Sequence, residues 1–434
     1  MNPSSFDAAK QAFFDGVAHL EAGRWAEAEA ALRQSLAHVP GRPSTLQNLA
    51  LALLRQDRPA EALAALAPVL AAEPGAADAW ANQAEALLAL ERDEEAAAAL
   101  ARLLALAPER DGALLQRGLA LTRLQRHDES LACYEQLCAR QPGHAAAWLR
   151  RGQALQALER HDEALPCFER ATAADPTLAE AWSHRGAMLK DLLQLDEAAH
   201  CFRQALAHGA DPALNGYLLA SVTGEAPPAQ SPEPYVRFLF DGYADRFDEH
   251  LVQVLHYDAP RRLVDGLAAQ GFERFDAALD LGCGTGLCGA LLRQRCGRLD
   301  GVDLAPQMLA QARRRGVYDQ LAEAEIAEHL RSTEARYQLV LAADVFIYVG
   351  DLAAVFDGVR RVLLPGGVFT FSAERADDAH DYRLLPSSRY AHSRRYLQAL
   401  AGQAGFTVCG IDEQPLREDQ RRPVPGLYVT LLRR

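Results

Sequence analysis

An acidic residue is followed by three glycines at alternate positions in the stretch LDLGCGTGLCGALL: Asp280, then Gly282, Gly284 and Gly286. The run before them, FDAALDLG, reads as a strand, and the run after them, LCGALLRQRC, as a helix. Glycines at such a turn let the main chain approach a ligand closely, because no Cβ intervenes. A second acid, Asp303, ends the next apolar run, LDGVDLA, 21 positions after Gly282. A carboxylate there accepts hydrogen bonds from ribose hydroxyls. The residues therefore fit a nucleoside ligand, and either a dinucleotide or another nucleoside cofactor meets that requirement. Asp280 separates the two. A dinucleotide would bring its pyrophosphate to the loop, where this carboxylate would repel it. S-Adenosylmethionine brings no phosphate; it brings an ammonium and a sulfonium, which a nearby carboxylate helps to hold.

The elements that must position these residues follow from the apolar pattern. After LDGVDLA comes a helix, PQMLAQARRRG, opened by Pro306. QLVLAADVFIY is a strand, LAAVFDGVRRVLL a helix and GVFTFSAE a strand. SRRYLQALAGQAG is a helix, and FTVCGIDEQP and GLYVTLLRR are strands. The alternation predicts a Rossmann-like, doubly wound parallel sheet. No helix separates the last two strands, so they are expected to pair as an antiparallel C-terminal hairpin.

Residues 235–434 resemble a class I S-adenosylmethionine-dependent methyltransferase, on the strength of D-x-G-x-G-x-G at a strand–turn–helix with Asp303 beyond it. The whole chain resembles bacterial methyltransferases fused to tetratricopeptide repeats. The segments from Tyr235 to Leu263, VYDQL (Val317–Leu321) and SSRYAHSRRYL (Ser387–Leu397) are similar to that group, and Tyr257-Asp258-Ala259-Pro260 is similar to a turn of the Williams–Beuren-region methyltransferase-like proteins. The resemblance implies that Gly282, Cys283, Gly284 and Gly286 line the methionine portion of the cofactor, with Asp280 near its ammonium. It implies that Asp303 takes the ribose, that Leu304 and Met308 lie against adenine, and that Glu325 and Ile326 touch the adenine edge. Ala343 and Asp344 end the fourth strand, where ligands bind in open α/β sheets. Tyr243 resembles an aromatic that closes over the cofactor. A general base is needed only for an acceptor that keeps its proton at neutral pH. The candidates are His392, His250 and His256, with Tyr243 and Asp344 behind them. Arg389, Tyr390 and Tyr396 are expected to shape the acceptor pocket, with Arg389 suited to a carboxylate or phosphate. The fourth strand ends in AADVFIY, not the N/D-P-P-Y of amide- and adenine-modifying enzymes, and no cysteine stands there to attack a base carbon. Oxygen, nitrogen or sulfur acceptors on a small molecule or peptide remain. S-Adenosylhomocysteine is the expected product.

The first half of the chain is a repeat. Prolines recur every 34 residues at Pro40, Pro74, Pro108, Pro142 and Pro176. Small residues share the register at Gly16, Ala50, Ala84, Gly118, Gly152 and Gly186, and large apolar ones at Leu32, Leu66, Leu100, Tyr134, Phe168 and Phe202. Trp80, Trp148 and Trp182 occupy one more equivalent position. This is the tetratricopeptide pattern of paired antiparallel helices. Six repeats span 9–212, and ALNGYLLASV after them predicts a capping helix. An α-solenoid of this kind offers a concave groove. Phe14, Asn48, Asn82, Gln116, Arg150 and His184 are expected on its inner face; five of the six are polar, a ladder of donors for a peptide or protein partner. The domains are thus a repeat domain at 1–222, a proline-rich extended linker at 223–234 and a methyltransferase domain at 235–434.

The net charge of −13 over 434 residues argues against a nucleic-acid partner. No apolar run reaches the roughly 20 residues a bilayer span requires, and the N-terminus lacks a secretory pattern. None of the eight cysteines forms a C-x-x-C pair or a zinc-spaced cluster, so no metal site is expected. Reduced thiols fit a cytoplasmic protein. Two readings stand: an active methyltransferase whose repeats recruit the acceptor or its carrier, and a repeat scaffold with a catalytically silent, cofactor-sensing domain.

Overall fold

A computed structural model of the chain describes residues 3–225, 227–241, 257–419 and 422–434. They form two compact units, Met1–Arg185 and Gly186–Arg434, and the division falls inside the helix Ala179–Asp191.

The first unit is a solenoid of helix pairs, beginning with Pro3–Glu21 and Trp25–His38. Its small–large pairing is steric. A Cβ on Gly118 would stand 2.4 Å from the Tyr134 ring, and one on Gly152 would stand 2.6 Å from Phe168, so only glycine lets the helices cross. The indoles of Trp80, Trp148 and Trp182 donate to the carbonyls of Pro74, Pro142 and Pro176 at 2.9, 2.8 and 2.8 Å. The turns between paired helices use a left-handed residue at the same 34-residue interval: Asp57, Glu91, Gln125 and Glu159. The expected ladder is only partly open. Arg150 pairs with Glu180 at 3.0 Å, and the His184 ring lies between Gln153 and Gln156 and stacks on Phe168. Asn48, Asn82 and Gln116 make no side-chain hydrogen bond among the described residues.

The second unit holds the end of the repeats, with the helices Leu195–Ala207 and Pro212–Thr223, and a doubly wound sheet. Its strands are β1 (Phe275–Leu281), β2 (Cys296–Asp303), β3 (Gln320–Glu323), β4 (Tyr337–Ala342), β5 (Leu363–Arg375), β6 (Tyr382–Leu384), β7 (Tyr390–His392), β8 (Phe406–Asp419) and β9 (Arg422–Arg433). β3, β2, β1, β4 and β5 are parallel neighbours in that order. β9 runs antiparallel to both β5 and β8, the C-terminal hairpin expected from the sequence. The short pair β6–β7 attaches to the end of β5. The β4 run is shorter than the apolar pattern predicts, because Asp344 turns to φ 57° and Phe346–Tyr348 forms a 3-10 turn. β1, β4 and β5 are buried on both faces, and Phe346, Phe356, Phe369 and Phe371 pack edge to face in the largest core cluster.

The stretch expected as a linker is pinned along this unit. Ser231 N–H donates to Tyr348 O at 2.9 Å, Gly350 N–H to Ala229 O at 2.8 Å, and the Tyr390 hydroxyl to Pro228 O at 2.7 Å. Tyr217, in the capping helix, is buried; its hydroxyl donates to Ser388 O at 2.5 Å and accepts from Ser231 Oγ at 2.9 Å. Among the described residues no helix is long and apolar enough to cross a membrane.

Candidate active site

A cavity of about 920 Å³ opens at the carboxyl ends of β1, β2, β3 and β4, in the size range of small-molecule sites. The glycine loop forms one wall. Gly282, Gly284 and Gly286 all take positive φ (63°, 52° and 94°). A Cβ on Gly282 would lie 2.4 Å from Val345. The loop is tied to the end of β2: Cys283 N–H donates to Val302 O at 3.0 Å, and Gly284 N–H donates to Asp303 Oδ2 at 2.8 Å. The other Asp303 oxygen accepts from Ala305 N–H at 2.9 Å, so one carboxylate fixes both the loop and the turn into the helix Pro306–Arg315.

Asp280 lies beneath the loop and does not line the cavity. The Tyr318 hydroxyl donates to Asp280 Oδ2 at 2.6 Å. Burial pushes the Asp280 carboxyl up to about 7, the Asp303 charge adds to this, and the Tyr318 hydrogen bond opposes it. Tyr318 explains the small residues around it, since a Cβ on Gly289 would meet its ring at 2.5 Å and one on Gly286 at 3.1 Å. Gly286 likewise sits behind the loop.

Cys283, Leu304, Met308, Glu325, Ile326, Ala343 and Asp344 line the cavity with Gly282, Gly284 and Asp303. The Glu325 carboxylate also caps the helix Ile326–Ser332, accepting from Ala327 N–H at 2.9 Å and Glu328 N–H at 2.8 Å. The opposite wall is aromatic and apolar, with Tyr235, Val236, Leu239, Tyr257, Ile347 and Tyr348, and is closed by Ser387, Ser388 and Arg389.

The expected acceptor residues divide. Arg389 is on the wall; Tyr390 and Tyr396 are behind it. The Tyr396 hydroxyl accepts from Leu352 N–H at 3.0 Å and meets Asp351 Oδ1 at 3.2 Å. His392 does not reach the cavity. It is fully buried, its Nε2 is 3.0 Å from Gly350 O, and desolvation pulls it down to about 4 despite the opposing carbonyls of Gly350 and Val349. Burial thus favours the neutral ring, and the ring stands away from the cavity. Tyr243, His250 and His256 lie outside the described residues.

The sequence reading did not anticipate an ionic group in the wall. Arg417, on β8, reaches Asp344 Oδ2 with Nη1 at 2.6 Å and holds Glu374 with Nη2. Burial pulls the guanidinium down, but the two carboxylates more than offset this and its affinity for the proton is raised; burial pushes the Glu374 carboxyl up. Ser372 Oγ accepts from Asp344 N–H at 2.9 Å. The strand read from the sequence, FTVCGIDEQP, stopped two residues short of Arg417.

The site fits a nucleoside cofactor on its own chemistry: a loop that a Cβ would obstruct, acids ending β2 and following β3, and a buried Asp344 Oδ1 without a hydrogen-bond partner among the described residues. A methyltransferase-domain family model matches residues 279–371, and tetratricopeptide-repeat models match 19–71, 48–111 and 115–186. A malonyl-[acyl-carrier protein] O-methyltransferase of Enterobacter lignolyticus is 33% identical over 35% of this chain and 63% of its own length. Human methyltransferase-like protein 27 is 39% identical over 24% of this chain and 43% of its own. The chain thus spans about half the length of these curated relatives. A magnesium protoporphyrin IX methyltransferase from Synechocystis, solved with bound S-adenosylhomocysteine, is 17% identical over 46% of this chain and 99% of its own, with a TM-score of 0.38. Residues 279–371 thus match a methyltransferase domain, and stretches within residues 19–186 match tetratricopeptide repeats.

Proposed function

We propose that the protein transfers a methyl group from S-adenosylmethionine to an oxygen, nitrogen or sulfur atom of a small-molecule or peptide acceptor, and that the repeats recruit the acceptor or the protein that carries it. One observation carries the reading: the glycine loop, the Asp303 carboxylate and the buried Asp344 converge on a single cavity large enough for a nucleoside and a second ligand.

The cofactor, when bound, supplies an electrophilic methyl on sulfur. The chain's own residues orient and desolvate. Gly282, Cys283 and Gly284 offer main chain to the methionine end. Asp303, which accepts from the Gly284 and Ala305 amides, is the carboxylate for the ribose hydroxyls. Leu304, Met308 and Ile326 give an apolar slot for adenine, with Glu325 at its edge. Tyr235, Tyr257, Ile347 and Tyr348 exclude water from the reacting atoms. Arg389 is the residue of this wall suited to an anionic group on the acceptor. Displacement at a methyl needs proximity and alignment above all, and this wall supplies them without a catalytic histidine at position 392.

A protein-borne acceptor is supported by the repeats, whose Asn48, Asn82 and Gln116 keep amides available, and by a relative named malonyl-[acyl-carrier protein] O-methyltransferase. Eight unpaired cysteines favour a cytoplasmic setting. The test is S-adenosylhomocysteine formation from S-adenosylmethionine, measured over acceptors carrying carboxylate, hydroxyl, amine or thiol groups, free and on carrier proteins. Acceptor-dependent product formation is expected. Tight cofactor binding with no turnover on any acceptor would favour the cofactor-sensing scaffold instead.

A further inference from the structure

Two donors from the end of the repeats hold one edge of the cavity. The turn at 385–389 joins β6 to β7, a pair of three-residue strands, and β7 meets β5 through Ala391 and His392. So short a pair fixes its turn weakly, and the turn is held from outside. Lys190, in the last turn of the helix Ala179–Asp191, donates from Nζ to Pro386 O at 3.3 Å, and its side chain is only 12% exposed. Tyr217, buried in the helix Pro212–Thr223, donates to Ser388 O at 2.5 Å. Ser388 is itself buried and holds φ at 57°, a conformation that an L residue keeps only where its surroundings enforce it. Ser387 and Arg389 flank this residue, and both line the cavity. The Arg389 guanidinium acts on the wall: burial raises the Tyr235 and Tyr348 hydroxyls and the Glu374 carboxyl, and the Arg389 charge works against this in all three. Neither Lys190 nor Tyr217 lines the cavity.

We propose that the repeat end is part of the acceptor site: Lys190 and Tyr217 are positioning residues that hold the 385–389 turn and so keep Arg389 on the cavity wall, where it receives an anionic group of the acceptor. The inference rests on the transferase reading above, in which Arg389 meets the acceptor. An arginine recognises a carboxylate or phosphate through a planar fork, so its contribution depends on where its main chain is anchored. Here the anchor comes from two helices outside the sheet. The compact unit that carries the site begins at Gly186, inside the helix that carries Lys190. The glycine loop and Asp303 are bonded to each other on the opposite wall and do not depend on this anchor.

The test uses the full chain as wild type, Tyr217→Phe and Lys190→Met. Tyr337→Phe is the control, since it loses a buried hydroxyl bond to Asp300 at the start of β4 instead. Labelling of Arg389 by phenylglyoxal, read by peptide mass, is titrated with succinate as the anionic probe, and S-adenosylhomocysteine binding is followed by calorimetry. Succinate should protect Arg389 in the wild type. The concentration for half protection should rise roughly fivefold in Tyr217→Phe and in Lys190→Met and stay unchanged in the control, while the S-adenosylhomocysteine Kd moves by less than about twofold throughout. Lys190→Met carries the test if Tyr217→Phe folds poorly. No protection in the wild type, or the same half protection in wild type and folded variants, would overturn the inference. So would an equal shift in the control, which would reduce the effect to lost stability, or a parallel loss of S-adenosylhomocysteine affinity, which would make the turn a support for the whole cavity. If S-adenosylhomocysteine does not bind wild type, the cofactor reading falls and takes the acceptor assignment with it, a failure told apart from unshifted protection.

Discussion

On the β1–β3 side of the cavity, the positioning contacts are local and mostly main chain. Gly284 N–H reaches Asp303 across 19 residues, and Glu325 caps the helix that begins at the next residue. On the β4–β5 side they are long-range and made by side chains: Arg417 reaches Asp344 across 73 residues, and Tyr217 reaches Ser388 across 171. The first side is a main-chain loop shaped by the absence of Cβ atoms. The second is an aromatic wall held by buried charge and hydroxyls. The glycine-loop side therefore depends on backbone geometry, which a compact motif can specify, and the β4–β5 side depends on partners brought from β8 and from the repeat end.

The contrast can be broken most severely at Arg417. Arg417→Met leaves Asp344 and Glu374 buried without their cation and should cost about 3–5 kcal/mol of unfolding free energy in denaturant titration. Adding Asp344→Asn and Glu374→Gln to that variant should recover much of the loss, whereas no recovery would mean that the arginine acts by packing alone. Next comes His392. Its ordinary value of 6.5 is lowered to about 4 in the folded chain. Unfolded chains then bind the extra proton, so this stabilisation is complete above about pH 6.5 and is lost as the pH falls towards 4, by about 3 kcal/mol in all. His392→Gln, which keeps a donor for Gly350 O, should remove that share of the acid sensitivity; an unchanged stability–pH curve would show that the ring titrates normally. Tyr217→Phe is the mildest break. It leaves Ser388 O without its donor and should cost about 1–3 kcal/mol. Amide hydrogen exchange should also quicken at 385–389 and stay unchanged at 282–286, and acceleration in both segments would deny that the two halves are held separately.

The same contrast explains what was legible in the sequence. Asp280, the glycines and Asp303 lie close enough together for spacing to define them, and the 34-residue register defined the repeats. β3 was not marked by the apolar pattern, because a four-residue edge strand with half-exposed positions carries little periodicity. The β4 strand was read too long, because nothing apolar signals that Asp344 adopts φ 57°. His392 and Tyr396 looked like acceptor residues from their place between a strand and the last helix. They are instead spent on Gly350 O and Leu352 N–H, which lie more than 40 positions away. Proline and small polar residues at 223–234 suggested a free tether, yet Pro228, Ala229 and Ser231 are hydrogen-bonded to the second unit, a long-range fact that composition does not encode.

The assignment stands most directly on Asp303. Calorimetric titration of the purified chain with S-adenosylhomocysteine, wild type against Asp303→Ala, isolates it. Saturable binding by the wild type is expected, weakened in the variant by at least the roughly 1.5–3 kcal/mol of a charged hydrogen bond, or more than about tenfold in Kd. Wild-type binding that Asp303→Ala leaves untouched, or no binding at all, would contradict a nucleoside cofactor seated between the glycine loop and β2.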